Sequence, residues 1–107
     1  HDAFAKAMKI GTNIALGSDA GSANFGPHPA AFLEMAAMEA YGMSKEQVLR
    51  CATLEAARIL GLEKTLATLE AGKRADFVVL DKNPLTEGVC AFTTGLHAVY
   101  KQGELVE

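Results

Sequence analysis

The sequence lacks the features that mark a membrane-spanning or nucleic-acid-binding protein. Its apolar stretches are interrupted by Glu34, Glu39 and several glycines, and they fall well short of the roughly 20 residues that a membrane span requires. Ten basic residues against thirteen acidic ones, with a net charge of −3 and no basic run, leave no patch that would bind a phosphate backbone. We therefore expect neither a membrane nor a nucleic-acid partner.

Cysteine is also scarce. Cys51 and Cys90 are the only two, and they form no C-x-x-C pattern, which is typical of free thiols in a reducing compartment and predicts a cytoplasmic location. Neither has an evident base beside it, so both are interpreted as structural. No signal peptide is visible, and because the chain starts at His1 inside a helical pattern, we expect it to be a segment of a longer protein.

Apolar residues, by contrast, are plentiful. The chain has 107 residues, of which 50% are hydrophobic, and a globule of this size buries roughly 60–70% of its unfolded surface. This excludes intrinsic disorder and provides a core without disulfide or metal crosslinks.

The first part of the chain predicts a helix, a buried strand and a loop. Apolar residues recur at helical spacing from Asp2 to Lys9, and Thr12 to Leu16 is a short β-compatible run. A loop of small residues follows at positions 17–22. This order indicates an α/β unit.

Three further helices are predicted. The segment Ala30–Tyr41 is apolar almost all round, so it requires cover on most sides. Ser44 followed by Gln47 is a capping-box pattern that begins the next helix. Thr53 is predicted to be the N-cap of the last one, which ends at Gly61.

The remainder of the chain predicts strands. After a turn at positions 70–73, Ala75–Asp81 is apolar on both faces, which predicts a central strand. An Asn-Pro pair at positions 83–84 ends it, and a less regular stretch follows. His97–Lys101 and Glu104–Val106 flank the pair Gln102-Gly103, which predicts a two-residue hairpin turn.

Two polar residues are candidates for chemistry. Asp19 follows the predicted buried strand and is flanked by Gly17 and Gly21, which allow other groups to approach closely. A carboxylate at the end of a strand can bind a metal or accept a proton, although the same pattern also suits a residue that only caps its loop. His28 is either a substrate-binding group near the same end or a solvated loop residue.

Other site patterns are weak. No pair of histidines has the spacing of a metal site, and a single carboxylate cannot hold a catalytic metal. The loop at positions 17–26 matches neither a dinucleotide-binding nor a Walker A motif.

Three runs taken together carry a family resemblance. Residues 14–21 (IALGSDAG), 42–62 (GMSKEQVLRCATLEAARILGL) and 69–85 (LEAGKRADFVVLDKNPL) closely resemble the C-terminal quarter of the metal-dependent amidohydrolase superfamily. The likeness is closest to imidazolonepropionase-like and Xaa-Pro or Xaa-Arg dipeptidase-like members, and it covers nearly the whole chain.

The resemblance implies a (β/α)₈ TIM barrel whose last strand delivers Asp19 to one or two divalent metals, usually zinc. In the family this aspartate ligates the metal and takes the proton from the water that attacks an amide or ester carbonyl. Residues 1–68 would be the C-terminal part of the barrel, and residues 69–107 the C-terminal strands of a small β-sandwich. The fold would be α/β, helix-rich with a terminal β-hairpin, and the substrate a small molecule or dipeptide.

The family's other metal ligands, a His-x-His pair, a bridging carboxylated lysine and two further histidines, are absent from this sequence. We therefore expect the parent protein to be a metal-dependent hydrolase acting on C–N bonds and this chain to be inactive alone. The alternative is a non-catalytic structural module. We also expect a homo-oligomer, because the apolar helix at 30–41 and the strand at 77–80 would leave exposed apolar patches and strand edges.

Overall fold

The computed structural model describes residues 2–17 and 30–107 of the chain. Within them, helices and strands follow in this order: α1 (Asp2–Lys9), α2 (Ala30–Ala40), α3 (Lys45–Ala52), α4 (Leu54–Leu60), β1 (Phe77–Leu80), α5 (Pro84–Glu87), α6 (Cys90–Thr93), β2 (Leu96–Lys101) and β3 (Glu104–Leu105). The helix-rich α/β character and the terminal β-hairpin predicted from the sequence are confirmed.

The predicted strand Thr12–Leu16 is wrong as a hydrogen-bonded strand, because residues 12–17 have no regular secondary structure. A strand requires a neighbour with which it exchanges backbone hydrogen bonds. Here the Leu16 N–H donates instead to a helix carbonyl, Cys51 O, at 2.9 Å. Ile14 and Leu16 lie two residues apart and both pack against the helical core, as alternate side chains of an extended segment do.

The helical core is a cluster of five buried side chains contributed by α2, α3 and the connection between them: Met35, Met38, Met43, Val48 and Cys51. Partly buried side chains from both the beginning and the end of the chain pack around it, namely Phe4, Met8, Ile14, Leu16, Phe32, Leu49, Ala52, Val89 and Phe92. Three of the five buried residues are methionines, whose unbranched side chains fill irregular gaps between helices. One core therefore combines side chains from the first half of the chain with Val89 and Phe92.

The capping box that begins α3 is confirmed. The Ser44 hydroxyl accepts from the Gln47 N–H at 3.2 Å, and Gln47 Oε1 accepts from the Ser44 N–H at 3.0 Å. Two amide donors at the start of the helix are thereby satisfied.

The junction between α3 and α4 differs from the prediction. Thr53 does precede α4, but its side chain makes no capping hydrogen bond to that helix. Its hydroxyl donates backwards to Leu49 O at 2.7 Å, because a threonine inside a helical run can reach the carbonyl four residues earlier. The end of α4 is as predicted: Gly61 has φ 74°, and the Leu62 N–H donates to Ala57 O at 2.8 Å in a Schellman arrangement.

The sheet has the order β1-β2-β3, with antiparallel pairing throughout. Phe77 lies opposite Tyr100 and their rings stack at 4.7 Å. At the hairpin turn Gln102 has φ 52° and Gly103 has φ 81°. Positive φ at both central residues defines the primed turn that matches the twist of the strands, so the predicted hairpin is confirmed.

The predicted central position of β1 is wrong for the sheet that the structure describes. β1 covers Phe77–Leu80 rather than Ala75–Asp81, and it lies at the edge. Val78 and Val79 are 43% and 38% exposed. Apolar residues on both faces indicate that both faces favour cover, but they do not specify which residues supply it.

The stretch after Asn83, predicted to be less regular, contains α5 and α6. Asn83 Oδ1 accepts from the Leu85 N–H at 2.9 Å, and Pro84 occupies the first helical position, a combination that favours helix initiation. Phe92 of α6 stacks on Phe32 of α2 at 6.1 Å. These two short helices therefore connect the sheet to the helical core, and the domain boundary between residues 68 and 69 stays a prediction.

A lysine organises the connection between α4 and the sheet. The side chain of Lys73 is 13% exposed, and its ammonium donates to Glu63 O at 2.6 Å and to Thr68 Oγ1 at 2.7 Å. The predicted turn at 70–73 is confirmed by the hydrogen bond from the Lys73 N–H to Glu70 O at 3.2 Å. Within the same loop Ala67 has φ 83°, which is unusual for a residue with a Cβ.

Candidate functional site

Residues 12–17 lead toward the predicted loop that contains Asp19, which we term the candidate catalytic loop. This segment is held on the helical core. Its side chains Ile14 and Leu16 pack against the buried cluster, and its Leu16 N–H is bound to Cys51 O. Asp19 and His28 lie outside the described residues, so their predicted roles stay predictions. The structure shows how the backbone leading to them is held.

The carbonyls in the last turn of α3 accept hydrogen bonds from Thr53 and Leu16, an arrangement that was not predicted from the sequence. Leu49 O accepts from the Thr53 hydroxyl at 2.7 Å, Arg50 O from the Thr53 N–H at 3.3 Å, and Cys51 O from the Leu16 N–H at 2.9 Å. Carbonyls in the last turn of a helix have no partner within that helix. Three of them are satisfied here, one of them by the segment that leads to Asp19. A threonine four residues after Leu49 was the signal in the sequence that could have predicted the hydrogen bond from its hydroxyl to the Leu49 carbonyl.

Cys51 has the properties of a core residue rather than a nucleophile. It is buried and free, with its sulfur 3.7 Å from Met43 Sδ. Burial raises the pKa of the Cys51 thiol, and the neighbouring Glu55 carboxylate raises it further. The thiolate is the reactive form, so the structure supports the interpretation of Cys51 as structural. Cys90 is also free and is exposed.

The described residues do not fit a metal ion by themselves. Within residues 2–17 and 30–107, no group of three or more His, Cys, Asp and Glu side chains is placed to hold one. His97 Nδ1 lies 3.4 Å from Asp81 Oδ1, but both side chains are largely exposed. A catalytic zinc requires three protein ligands in most enzymes. A metal site that includes Asp19 therefore requires ligands from residues other than those described here.

An apolar groove lies between the sheet and the helices. Its cavity volume is about 990 Å³, and the walls are mainly aromatic and aliphatic, with Phe32, Phe77, Phe92, Leu96, Val99 and Tyr100 among them. Such a surface favours contact with other apolar groups rather than acid–base chemistry. Among the described helices, none is long and apolar enough to cross a lipid bilayer.

Comparison with known proteins defines the class to which this architecture belongs. Residues 1–106 match the model of the Amidohydrolase family. The chain is 42% identical over 81 residues to the 5-methylthioadenosine/S-adenosylhomocysteine deaminase of Moorella thermoacetica, which covers 69% of this chain and 19% of that protein. It is 34% identical over 105 residues to the imidazolonepropionase of Treponema denticola, which covers 94% of this chain and 25% of that protein.

Solved structures agree with this class. A crystal structure of a Xaa-Pro dipeptidase with methionine bound in its active site matches 99% of this chain with a TM-score of 0.86 and 33% identity, over 25% of its own length. The chain therefore belongs to the amidohydrolase family, as the resemblance predicted. It spans about a fifth of the length of the deaminase and a quarter of the length of the imidazolonepropionase and the dipeptidase.

Proposed function

We propose that the chain is the C-terminal segment of a metal-dependent amidohydrolase that hydrolyses a C–N bond in a small-molecule or dipeptide-like substrate. The observation that carries this proposal is the match of nearly the whole chain to about one quarter of a dipeptidase. Residues 1–68 would belong to the end of the TIM barrel and residues 69–107 to the β-sandwich. Support for that division comes from the secondary structure: helices supply the buried cluster, and all three strands lie after residue 68, although Val89 and Phe92 also pack against the helical core.

Asp19 is the proposed catalytic residue of this segment. It would accept the proton of the attacking water and serve as one ligand of a divalent metal, with zinc as the expected ion. When bound, such a metal supplies a Lewis acid that polarises the water and the substrate carbonyl. His28 would contact the substrate. Support for both roles comes from the family membership and from the sequence around them.

The test uses the full-length parent protein and a matched control. Replacing Asp19→Asn should remove most of the hydrolytic activity, because the variant loses a proton acceptor and a charged ligand. Asp81→Asn changes an exposed aspartate that follows β1 and lies beside His97, and it should leave kcat unchanged. A parent that keeps near-normal kcat with Asp19→Asn would show that Asp19 only caps its loop.

The isolated chain gives a second test. It should hydrolyse no dipeptide or amide substrate even with added zinc, because its sequence lacks the histidine ligands that the family resemblance implies for the metal. Metal-dependent turnover that disappears with Asp19→Asn would contradict this.

The alternative function is that of a non-catalytic module that associates with copies of itself, with Asp19 serving only its loop. Exposed apolar side chains such as Leu33 at 62% and Leu105 at 62%, together with the apolar groove, favour association. Stoichiometric zinc that survives dialysis would contradict a purely structural role. A monomeric sedimentation profile at micromolar concentration would contradict the predicted homo-oligomer. The cytoplasmic location stays a prediction that cell fractionation would test.

A further inference from the structure

We propose that Thr53 is a positioning residue for the candidate catalytic loop. By interrupting the helix between α3 and α4, it leaves the Cys51 carbonyl available to bind the Leu16 N–H, and that hydrogen bond fixes the backbone three residues before Asp19. The functional half of this proposal rests on the role proposed for Asp19, whereas the structural half concerns described residues alone.

The interruption originates in the side chain of Thr53. In a continuous α-helix, Leu49 O would accept from the backbone N–H of residue 53. Here the Thr53 hydroxyl takes that acceptor at 2.7 Å, and the Thr53 N–H donates to Arg50 O at 3.3 Å instead. The backbone of Thr53 has φ −124° and ψ −85°, outside the helical region. The hydroxyl thus competes with the backbone for the same carbonyl.

The consequence falls on Cys51. In an unbroken helix its carbonyl would accept from the N–H of residue 55. Because α4 starts a new register, with the Ala57 N–H donating to Thr53 O at 3.0 Å, Cys51 O accepts from the Leu16 N–H at 2.9 Å. The side chains of Leu16 and Cys51 both belong to the packed helical core. Loss of the bond would leave a carbonyl and an amide unpaired in a largely apolar environment, which is unfavourable.

The position of this bond along the chain gives it a functional consequence. Leu16 is followed by Gly17, and Asp19 lies three residues beyond Leu16. Catalysis depends steeply on geometry, and a displacement of about 1 Å can reduce the rate by about 10²-fold. A change at the α3–α4 junction would therefore act on the reaction through Leu16, which makes Thr53 a positioning residue rather than a catalytic one.

The structural step is tested on the chain as it exists. A scalar coupling across the hydrogen bond from Leu16 N to the Cys51 carbonyl carbon should be detectable by NMR in the unmodified protein, and its absence would overturn the proposal. In Thr53→Ala the Leu16 amide should exchange with solvent at least about tenfold faster, while Thr53→Ser, which keeps the hydroxyl, should retain the protection. Unchanged exchange at Leu16 in a folded Thr53→Ala variant would also overturn it.

A matched control separates this effect from a general loss of a threonine hydroxyl. The Thr86 hydroxyl donates to Asn83 O at 3.1 Å and is exposed in α5. Thr86→Ala removes a similar side-chain-to-backbone bond from a different helix, so it should leave the exchange of the Leu16 amide unchanged. If the Leu16 amide exchanged as fast in Thr86→Ala as in Thr53→Ala, the junction between α3 and α4 would have no specific role.

The functional step is tested in the full-length parent. Thr53→Ala should lower kcat by about tenfold with KM changed less than about twofold, and Thr53→Ser should restore it. Loss of Leu16 protection with unchanged kcat would refute the positioning role. If instead Asp19→Asn keeps normal kcat, the proposed function fails, and the coupling between Leu16 and Cys51 still decides the structural step independently.

Discussion

Any side chain at Gly88, which lies between α5 and α6, is expected to destabilise the fold. Its backbone has φ 67° and ψ −144°, close to a region that is essentially restricted to glycine. A Cβ at this position would lie 2.8 Å from Glu39 Oε2 and 3.2 Å from Lys45 Cε. The substitution Gly88→Ala therefore meets both a backbone penalty and a steric one.

The two penalties differ in size. Holding a residue with a Cβ in this conformation costs about 1–3 kcal/mol. The steric contact can be relieved by moving the flexible Glu39 carboxylate. This movement weakens the ion pair between Glu39 Oε1 and Lys45 Nζ, which are 2.7 Å apart. Both side chains are about one-third exposed, and such a pair contributes at most about 1 kcal/mol. We expect Gly88→Ala to lower the free energy of unfolding by about 2–3 kcal/mol, mostly through the backbone.

Urea unfolding of three variants checks this partition. Gly88→Ala combined with Glu39→Ala should remain nearly as unstable as Gly88→Ala, because removing the carboxylate relieves only the steric contact. As a control, Gly72 has φ 89° and no atom within 4 Å of an added Cβ, so Gly72→Ala should cost only the backbone penalty of about 1–2 kcal/mol. Full recovery of stability in the double variant would refute the backbone explanation.

Three further predictions concern the hairpin turn, a strained loop residue and the thiols. Gly103→Val should lower the free energy of unfolding by about 1–2 kcal/mol because the turn requires positive φ; a loss below about 0.5 kcal/mol in urea unfolding would contradict this. Ala67→Gly should raise the thermal midpoint, since φ 83° costs alanine about 1 kcal/mol, and a lower midpoint would count against that strain. Iodoacetamide should label Cys90 well before Cys51 in peptide mapping. Because the pKa of Cys51 is raised in the folded state, its thiol ionises at lower pH in the unfolded state. The free energy of unfolding should therefore fall as pH rises above about 8.5, and it should fall less in Cys51→Ala.

Features governed by neighbours in sequence were predicted correctly. The capping box of Ser44 and Gln47 needs only two residues three apart, and it is present with both hydrogen bonds. The hairpin turn at Gly103 likewise follows from two residues between β-prone runs. Such signals carry their own geometry, so the rest of the fold has little influence on them.

Features that depend on distant partners were predicted less well. The apolar pattern of Phe77–Leu80 is the same for a central and an edge strand, and its position is decided by which strands are available to pair. The hydroxyl of Thr53 had two possible acceptors, and the sequence does not specify the one chosen. At Asn83 and Pro84 the helix-initiating signal was present but was interpreted only as the end of a strand.

For the candidate site the limit is chemical. An aspartate after an apolar run has the same local pattern whether it caps a loop or accepts a proton. Spacing therefore left Asp19 ambiguous, and the resemblance favours the catalytic use over the loop cap. The family membership is confirmed, while the roles proposed for Asp19 and His28 stay predictions, because both residues lie outside the part of the chain that the structure describes.

The ammonium of Lys73 has a consequence for dividing the chain. Lys64 is exposed in the same loop, so a protease that cleaves after lysine would reach the bond between residues 64 and 65. The hydrogen bond from Lys73 Nζ to Glu63 O spans that cut, and Phe92 remains packed against the helical core from the other side. The two fragments would thus keep a hydrogen bond and an apolar contact between them, so cleavage in this loop is suited to a fragment-complementation experiment.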